Sequence, residues 1–449
     1  MEDTTTRTMN RFAAWRRLHV TDSGYVVFLS LVIGGLSGLC AWLLKLMIAG
    51  LTTLVSDSVE ATGMRWTVIA VPVAGIVIAA LFCKYVLRQR VDNGVARLVD
   101  DLKDGKNRLS GKTIYGSMIA SAFTLGCGGS AGSEGPIAYA GAGIGSKLGQ
   151  LLRVKPSIMT ILVACGAAAG IAGIFKAPIG GALFAFEVLR VELSAAAVLA
   201  VFLATLTSAL IAYAMSGCTL DIDVVSPGAF DNSTLLWTAL LGITCGLYSL
   251  YYTQTGSLTK RFLTTRRHAA TAWIASGLIT GVMIFLFPSL YGEGYGVISA
   301  VINSSEGAIG HDGVMALWHN APWAFAAACG GILLLKGAGA SAANNGGGVA
   351  GDFAPTLFAG CIVGLLFATG IDAWGVTHLN GAHYALIAMA GVMAGVIRAP
   401  LMAIFLTTEM VGGIDFMLPS TIAALLSYWI VMFVTRDTFY HSSKINLKS

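Results

Sequence analysis

The segment Gly128-Gly129-Ser130-Ala131-Gly132-Ser133-Glu134-Gly135-Pro136 sets a lone carboxylate among glycines, just ahead of a proline suited to the first turn of a helix. Glu134 lies in an apolar part of the chain, where a charge is costly unless it has a function. Two readings are open. The carboxylate can cap its own helix by accepting from the exposed amides. Alternatively, those amides carry partial positive charge and can hold a small anion, with Glu134 standing in the anion's place and leaving when protonated. That would be a gate working by mimicry.

A second break of this kind occurs at Gly351-Asp352-Phe353-Ala354-Pro355, where Ala354-Pro355 answers Gly135-Pro136 at an offset of 219 residues. Ala172-Gly173-Ile174-Phe175-Lys176-Ala177-Pro178 is echoed by Ala394-Gly395-Val396-Ile397-Arg398-Ala399-Pro400 at an offset of 222. At that offset Glu187 aligns with Glu409, each expected to close the apolar helix that its proline begins. Helices broken at corresponding positions of two repeats point to a binding site near the bilayer midplane. A cation site would instead show unwound carbonyls facing paired carboxylates.

The elements that must position these residues are membrane helices. The 449 residues are 56% hydrophobic and 11% charged, with a mean hydropathy of +0.75, whereas soluble domains carry about 25% charged residues. Apolar stretches fall at 25–55, 66–87, 158–186, 195–215, 235–252, 273–290, 323–335, 386–410 and 422–434. Some reach the ~20 residues of a full span and others do not, which predicts a mixture of spanning and partial helices. The 55 glycines fit close helix packing and helix breaks lining a cavity. The eight cysteines have no metal-ligand spacing and read as small buried hydrophobes.

Charge placement sets the expected topology. Arg7, Arg11, Arg16 and Arg17 precede the first span, and Lys444 and Lys448 follow the last, so both termini are expected in the cytoplasm. Basic clusters at 88–112 and 260–267 read as cytoplasmic, and the acidic linker 221–231 as external. The first apolar run is too long for a removed signal peptide. The expected organisation is a cytoplasmic segment 1–22, a first membrane repeat 23–217, an external linker 218–234, a second repeat 235–440 of inverted topology, and a cytoplasmic tail 441–449.

These motifs together resemble the CLC family of chloride channels and chloride/proton antiporters, in its prokaryotic type. Gly132-Ser133-Glu134-Gly135-Pro136 is similar to the family's G-x-E-G-P gate motif, and Gly351-Asp352-Phe353-Ala354-Pro355 to its G-x-F-x-P anion-binding motif. Ala177-Pro178 with Phe184 and Glu187, Arg398-Ala399-Pro400 with Glu409-Met410, and Gly292-Glu293-Gly294-Tyr295 fall where the family has counterparts. Their shared order and spacing carry the likeness over nearly the whole membrane portion. The resemblance implies an all-α fold of two inverted repeats of tilted and broken helices, a homodimer with one pore per subunit, and chloride as substrate. It makes Glu134 the gating glutamate and gives the amides of Phe353 and Asp352 to the anion. Tyr440 becomes an anion-coordinating tyrosine, against the alternative of an interfacial aromatic. No regulatory domain is expected after Tyr440.

Three departures qualify it. The stretch Asp92-Asn93-Gly94-Val95-Ala96 stands where the family has G-S-G-I-P, so Asn93 replaces an anion-binding serine; its amide can still donate, unless the stretch is a plain turn. Val188 stands where the antiporters carry their inner proton-transfer glutamate, leaving Glu187 or water as a proton route, or Glu187 as a structural carboxylate. Asp352 sets a negative charge beside the anion site, and Ser133 stands where many members carry arginine. Asp352 either points away, paired with a lysine such as Lys336, or is protonated, or is a second titratable group.

Three transport readings follow: anion/proton exchange gated by Glu134, passive anion conduction, and fluoride export. An intramembrane enzyme or receptor scaffold is the competing class, but no Ser/His or paired-Asp constellation lies in the spans. The seven histidines form no metal-ligand pattern. The expectation is an integral protein of a bacterial inner membrane, with the lipid bilayer, a small anion and protons as its partners. No cofactor, metal or nucleic acid is expected.

Overall fold

The computed structural model describes residues 21–62, 66–88, 94–105, 107–220, 222, 230–266, 268–304, 309 and 323–435. In chain order the helices are α1 Asp22–Thr62, α2 Thr67–Leu81, α3 Gly94–Lys103, α4 Lys112–Gly126, α5 Glu134–Leu151, α6 Pro156–Phe175, α7 Pro178–Leu183 and α8 Ala195–Met215. The second half follows with α9 Leu235–Thr264, α10 Ala269–Leu286, α11 Tyr295–Ser304, α12 Ala324–Asn345, α13 Phe353–Ala373, α14 Gly381–Ile397, α15 Pro400–Val411 and α16 Met417–Val434. Among the described residues, nine helices are long and apolar enough to cross a bilayer, and α14 and α15 are shorter apolar helices.

The packing of one half is repeated in the other. Helix α1 packs on α8, α5 on α6 and α6 on α8; likewise α9 packs on α16, α13 on α14 and α14 on α16. The central helices are glycine- and alanine-rich because their backbones nearly touch. A Cβ at Gly145 of α5 would lie 2.0 Å from the carbonyl oxygen of Leu162 in α6, and one at the equivalent Gly364 would lie 2.0 Å from that of Tyr384. In the apolar windows of α6 and α13, 89% and 78% of the residues are buried, against 33% in those of α2 and α10. The latter face outward with apolar side chains, as lipid contact requires.

The single apolar runs 158–186 and 386–410 are each two helices. Lys176 (φ 55°) and Arg398 (φ 62°) take the left-handed conformation at the C-terminal ends of α6 and α14, and a proline starts the next helix two residues on. A cation suits a helix C-terminus, which offsets part of the strain of positive φ in a non-glycine residue. Lys176 donates to the Thr219 carbonyl and Arg398 to the carbonyl and hydroxyl of Thr435. After α7 the chain widens into a π-turn, Phe184–Val188, whereas α15 stays α-helical.

The two repeats hold each other by their helix ends. Glu187 does not merely close its own helix: its carboxylate accepts from the amides of Leu401 (3.2 Å) and Met402 (2.7 Å), at the start of α15. Glu409 in turn accepts from Ile179 (2.9 Å) and Gly180 (2.7 Å), at the start of α7. All four pairings obey the 222-residue offset, so a pseudo-two-fold axis runs between them. Each carboxylate satisfies amides that a helix start leaves without partners. Replacing Glu187 or Glu409 by alanine is expected to lower stability by on the order of 2 kcal/mol, read as a lower thermal midpoint in detergent. An unchanged midpoint in both variants would sink the capping account.

Candidate functional site

The glycine-rich breaks meet at the centre of the molecule. Gly132 donates its amide to the Gly351 carbonyl (2.9 Å) and Gly351 returns the bond to Gly132 (2.5 Å), forming an isolated antiparallel bridge. Helices α5 and α13 therefore begin within a few residues of each other, with both N-termini in the buried interior.

Glu134 is fully buried, and its carboxylate reaches across to the other repeat. Its Oε1 accepts from the Ala354 amide (3.0 Å), in the first turn of α13, and from the Tyr295 hydroxyl (3.3 Å) of α11. Its Oε2 accepts no hydrogen bond among the described residues. The two bridging glycines make the room: a Cβ would lie 2.0 Å from Oε2 at Gly132 and 2.8 Å at Gly351. Glu134 therefore caps the helix of the opposite repeat. A carboxylate held by a buried helix N-terminus marks a place where a small anion fits equally well.

Around it, Phe353 is buried and meets Phe184 edge-on, with ring centroids 5.9 Å apart. Asp352 precedes α13 but does not cap it; its Oδ1 accepts from the Asn344 side-chain amide (3.0 Å) of α12. The pairing with Lys336 that the sequence left open is not formed. Lys336, fully buried, donates instead to the Ser130 hydroxyl (3.0 Å), with its Nζ 4.6 Å from the centroid of the Phe358 ring. The hydroxyl of Ser130, a residue of the glycine-rich loop itself, can reach that ammonium because the loop packs against α12, where a Cβ at Gly339 would lie 3.5 Å from that of Ser130.

Val188 is buried in the π-turn with no group to carry a proton. Both oxygens of the neighbouring Glu187 are held by α15. Asn93 and Tyr440 lie outside the described residues. Gly94, next to Asn93, packs against the gate motif, since a Cβ there would lie 2.6 Å from the Gly135 carbonyl oxygen. Of the cysteines, Cys83, Cys127, Cys165, Cys245, Cys329 and Cys361 are buried, Cys40 is half-buried and Cys218 is exposed. Among the described residues no His/Cys/Asp/Glu group is arranged to hold a metal.

Sequence reasoning missed the part played by Glu293. Its Oε1 accepts from both the amide (2.9 Å) and the hydroxyl (2.5 Å) of Ser133, at the start of α5. The signal was present in Gly292-Glu293-Gly294, another carboxylate between glycines. Those glycines take φ of 63° and 87°, which a side chain would strain.

Comparison with known proteins bears on the family and the fold. A family profile described as "Voltage gated chloride channel" matches residues 75–432. A ClcB-like chloride channel protein of Ralstonia nicotianae is 30% identical over 384 residues, covering 81% of this chain and 82% of its own. The voltage-gated ClC-type chloride channel ClcB of Shigella flexneri is 26% identical over 335 residues, covering 72% and 73%. A crystal structure of a slow cyanobacterial Cl−/H+ antiporter superposes with a TM-score of 0.79 over 92% of this chain and 96% of its own, at 21% identity. A CLC-type fluoride/proton antiporter does so with 0.71 over 90% and 94%, at 22%. At such identities the structural likeness is one of fold.

The crowding at Gly132 gives a direct test of the central geometry. In a Gly132→Ala variant the added methyl can be housed only by moving the Glu134 carboxylate, because the three atoms nearest to it all belong to that group. A structure of the variant is expected to keep the helices in place with the carboxylate off the Ala354 amide. A carboxylate still seated there would refute the assignment of these glycines.

Proposed function

Because the chain belongs to the CLC family of chloride channels and transporters, we propose that it carries chloride across the bilayer along a path closed by Glu134. The observation that supports this most is the Glu134 carboxylate seated on the Ala354 amide, at the start of a helix from the other repeat. There it holds the place of an anion. An ionised carboxylate and a chloride compete for the same partial positive charge. Protonation removes the carboxylate's claim and opens the amides to the permeating ion. In this reading the amides of Phe353 and of Asp352, just ahead of α13, form the central anion site, with Asn93 and Tyr440 as further anion-binding groups.

A buried carboxylate that alternates between ionised and protonated forms also admits anion/proton exchange. Val188, and the engagement of Glu187 by α15, weigh toward conduction without an inner proton route. We further assign the protein to a bacterial inner membrane as a homodimer with both termini cytoplasmic. The basic residues ahead of α1 and in the stretch 260–267 support that orientation.

Purified protein in proteoliposomes tests the reading. Chloride flux is expected to rise as the outer solution is acidified. Glu134→Gln is expected to raise flux at neutral pH by roughly tenfold, the worth of one charge-assisted hydrogen bond, and to flatten most of the pH dependence. A chloride gradient that drives protons uphill would establish exchange; fluoride outpacing chloride would change the substrate. Absence of anion flux would remove the function, and a Glu134→Gln variant indistinguishable from the unaltered protein would remove Glu134 as the gate.

A further inference from the structure

The turn between α10 and α11 lies on the side opposite the basic stretch that precedes α10, which the positive-inside rule makes the outer side. It brings two groups to the gate. Tyr295 donates its hydroxyl to Glu134 Oε1 (3.3 Å), and Glu293, two residues earlier, holds the amide (2.9 Å) and hydroxyl (2.5 Å) of Ser133. Ser133 is fully buried and adjoins Glu134 in the chain. Its two donors are the polar groups that α5 offers to an anion arriving from outside, and a carboxylate already occupies them.

The central geometry is thus repeated one step outward. Glu134 sits on the first turn of α13, and Glu293 sits on the residue that starts α5. The two carboxylates come from different elements and are half-buried on the outer side and fully buried on the inner. Among the described residues, the charged and titratable groups facing them are Lys45 of α1, with its Nζ 4.7 Å from the centroid of the Tyr295 ring, Tyr295 of α11 and Lys336 of α12.

We propose that Glu293 is a second gating carboxylate, in series with Glu134, which closes the outer end of the anion path by occupying the Ser133 amide and hydroxyl. The proposal rests on the reading of Glu134 as the inner closing group. An anion coming from outside meets the Glu293 charge first and must displace it from Ser133. Neutralising Glu293 removes that obstacle and also takes a negative charge away from beside Glu134, whose bonds to Ala354 and Tyr295 remain.

The experiment separates charge from scaffolding. In Glu293→Gln the side-chain carbonyl still accepts from both Ser133 donors, so a purely structural role predicts unchanged flux. The gating role predicts anion uptake from the outer solution at neutral pH raised by roughly five- to tenfold, the scale on which charge at a pore mouth alters ion arrival. It also predicts a shallower dependence on outer pH, with the remainder lost only when Glu134→Gln is added. If Glu293→Gln fails to fold, Ser133→Ala serves: it removes the hydroxyl donor and is expected to raise uptake about threefold, as one weakened hydrogen bond would. Uptake unchanged in the folded Glu293→Gln variant, or in Ser133→Ala where that variant does not fold, while Glu134→Gln still alters flux, overturns this proposal alone. Absence of flux in the unaltered protein overturns the pathway reading and this proposal with it.

Discussion

A helix that starts inside a membrane protein has amides with no helical partner and no water to take them, so something must accept their hydrogen bonds. Two helices here, α5 and α13, begin in the buried interior and two more, α7 and α15, begin half-buried; each of the four is met by a carboxylate from elsewhere in the chain. Glu409 serves α7, Glu187 serves α15, Glu134 serves α13 and Glu293 serves the start of α5. The glycine-rich breaks, the backbone contacts between central helices and the crossing of the two repeats all follow from bringing these ends and acceptors together.

The four are not equivalent, and the difference makes a site. Glu187 and Glu409 are symmetric: each spends both oxygens on two amides, and the arrangement maps onto itself across the repeats. Glu134 has no such partner, because the position 219 residues on is Phe353. One oxygen of Glu134 is bonded and the other is idle among the described residues. A symmetric clasp can be fully satisfied and stay put. The asymmetric one leaves a carboxylate with one oxygen unengaged among the described residues, unlike its counterparts Glu187 and Glu409.

Much of this was legible in the sequence, for physical reasons. Hydropathy and the glycine content required membrane helices, and the Ala-Pro echo placed Glu187 and Glu409 in register before any contact was known. The crossing of those carboxylates to the opposite repeat was not legible, because a periodic pattern says which residues correspond and not which touch. Glu293 and Ser133 are 160 residues apart, and no local propensity links them. The same holds for Lys336, whose ammonium found Ser130 rather than Asp352, and for Asp352, which found Asn344. The π-turn at Phe184–Val188 breaks the symmetry between α7 and α15 without any proline or glycine at its own positions to announce it.

The mutual clasp of Glu187 and Glu409 also bears on how such a molecule can move. Many transporters built from inverted repeats expose their site alternately by rocking one half against the other. Here the starts of α7 and α15 are each clasped to the opposite half by a bidentate carboxylate, so rocking would have to strip four charge-assisted bonds. Side-chain rotation within a stationary backbone avoids that cost, and under the proposed gating the rate of transport would be tied to how fast one or two glutamates can swing.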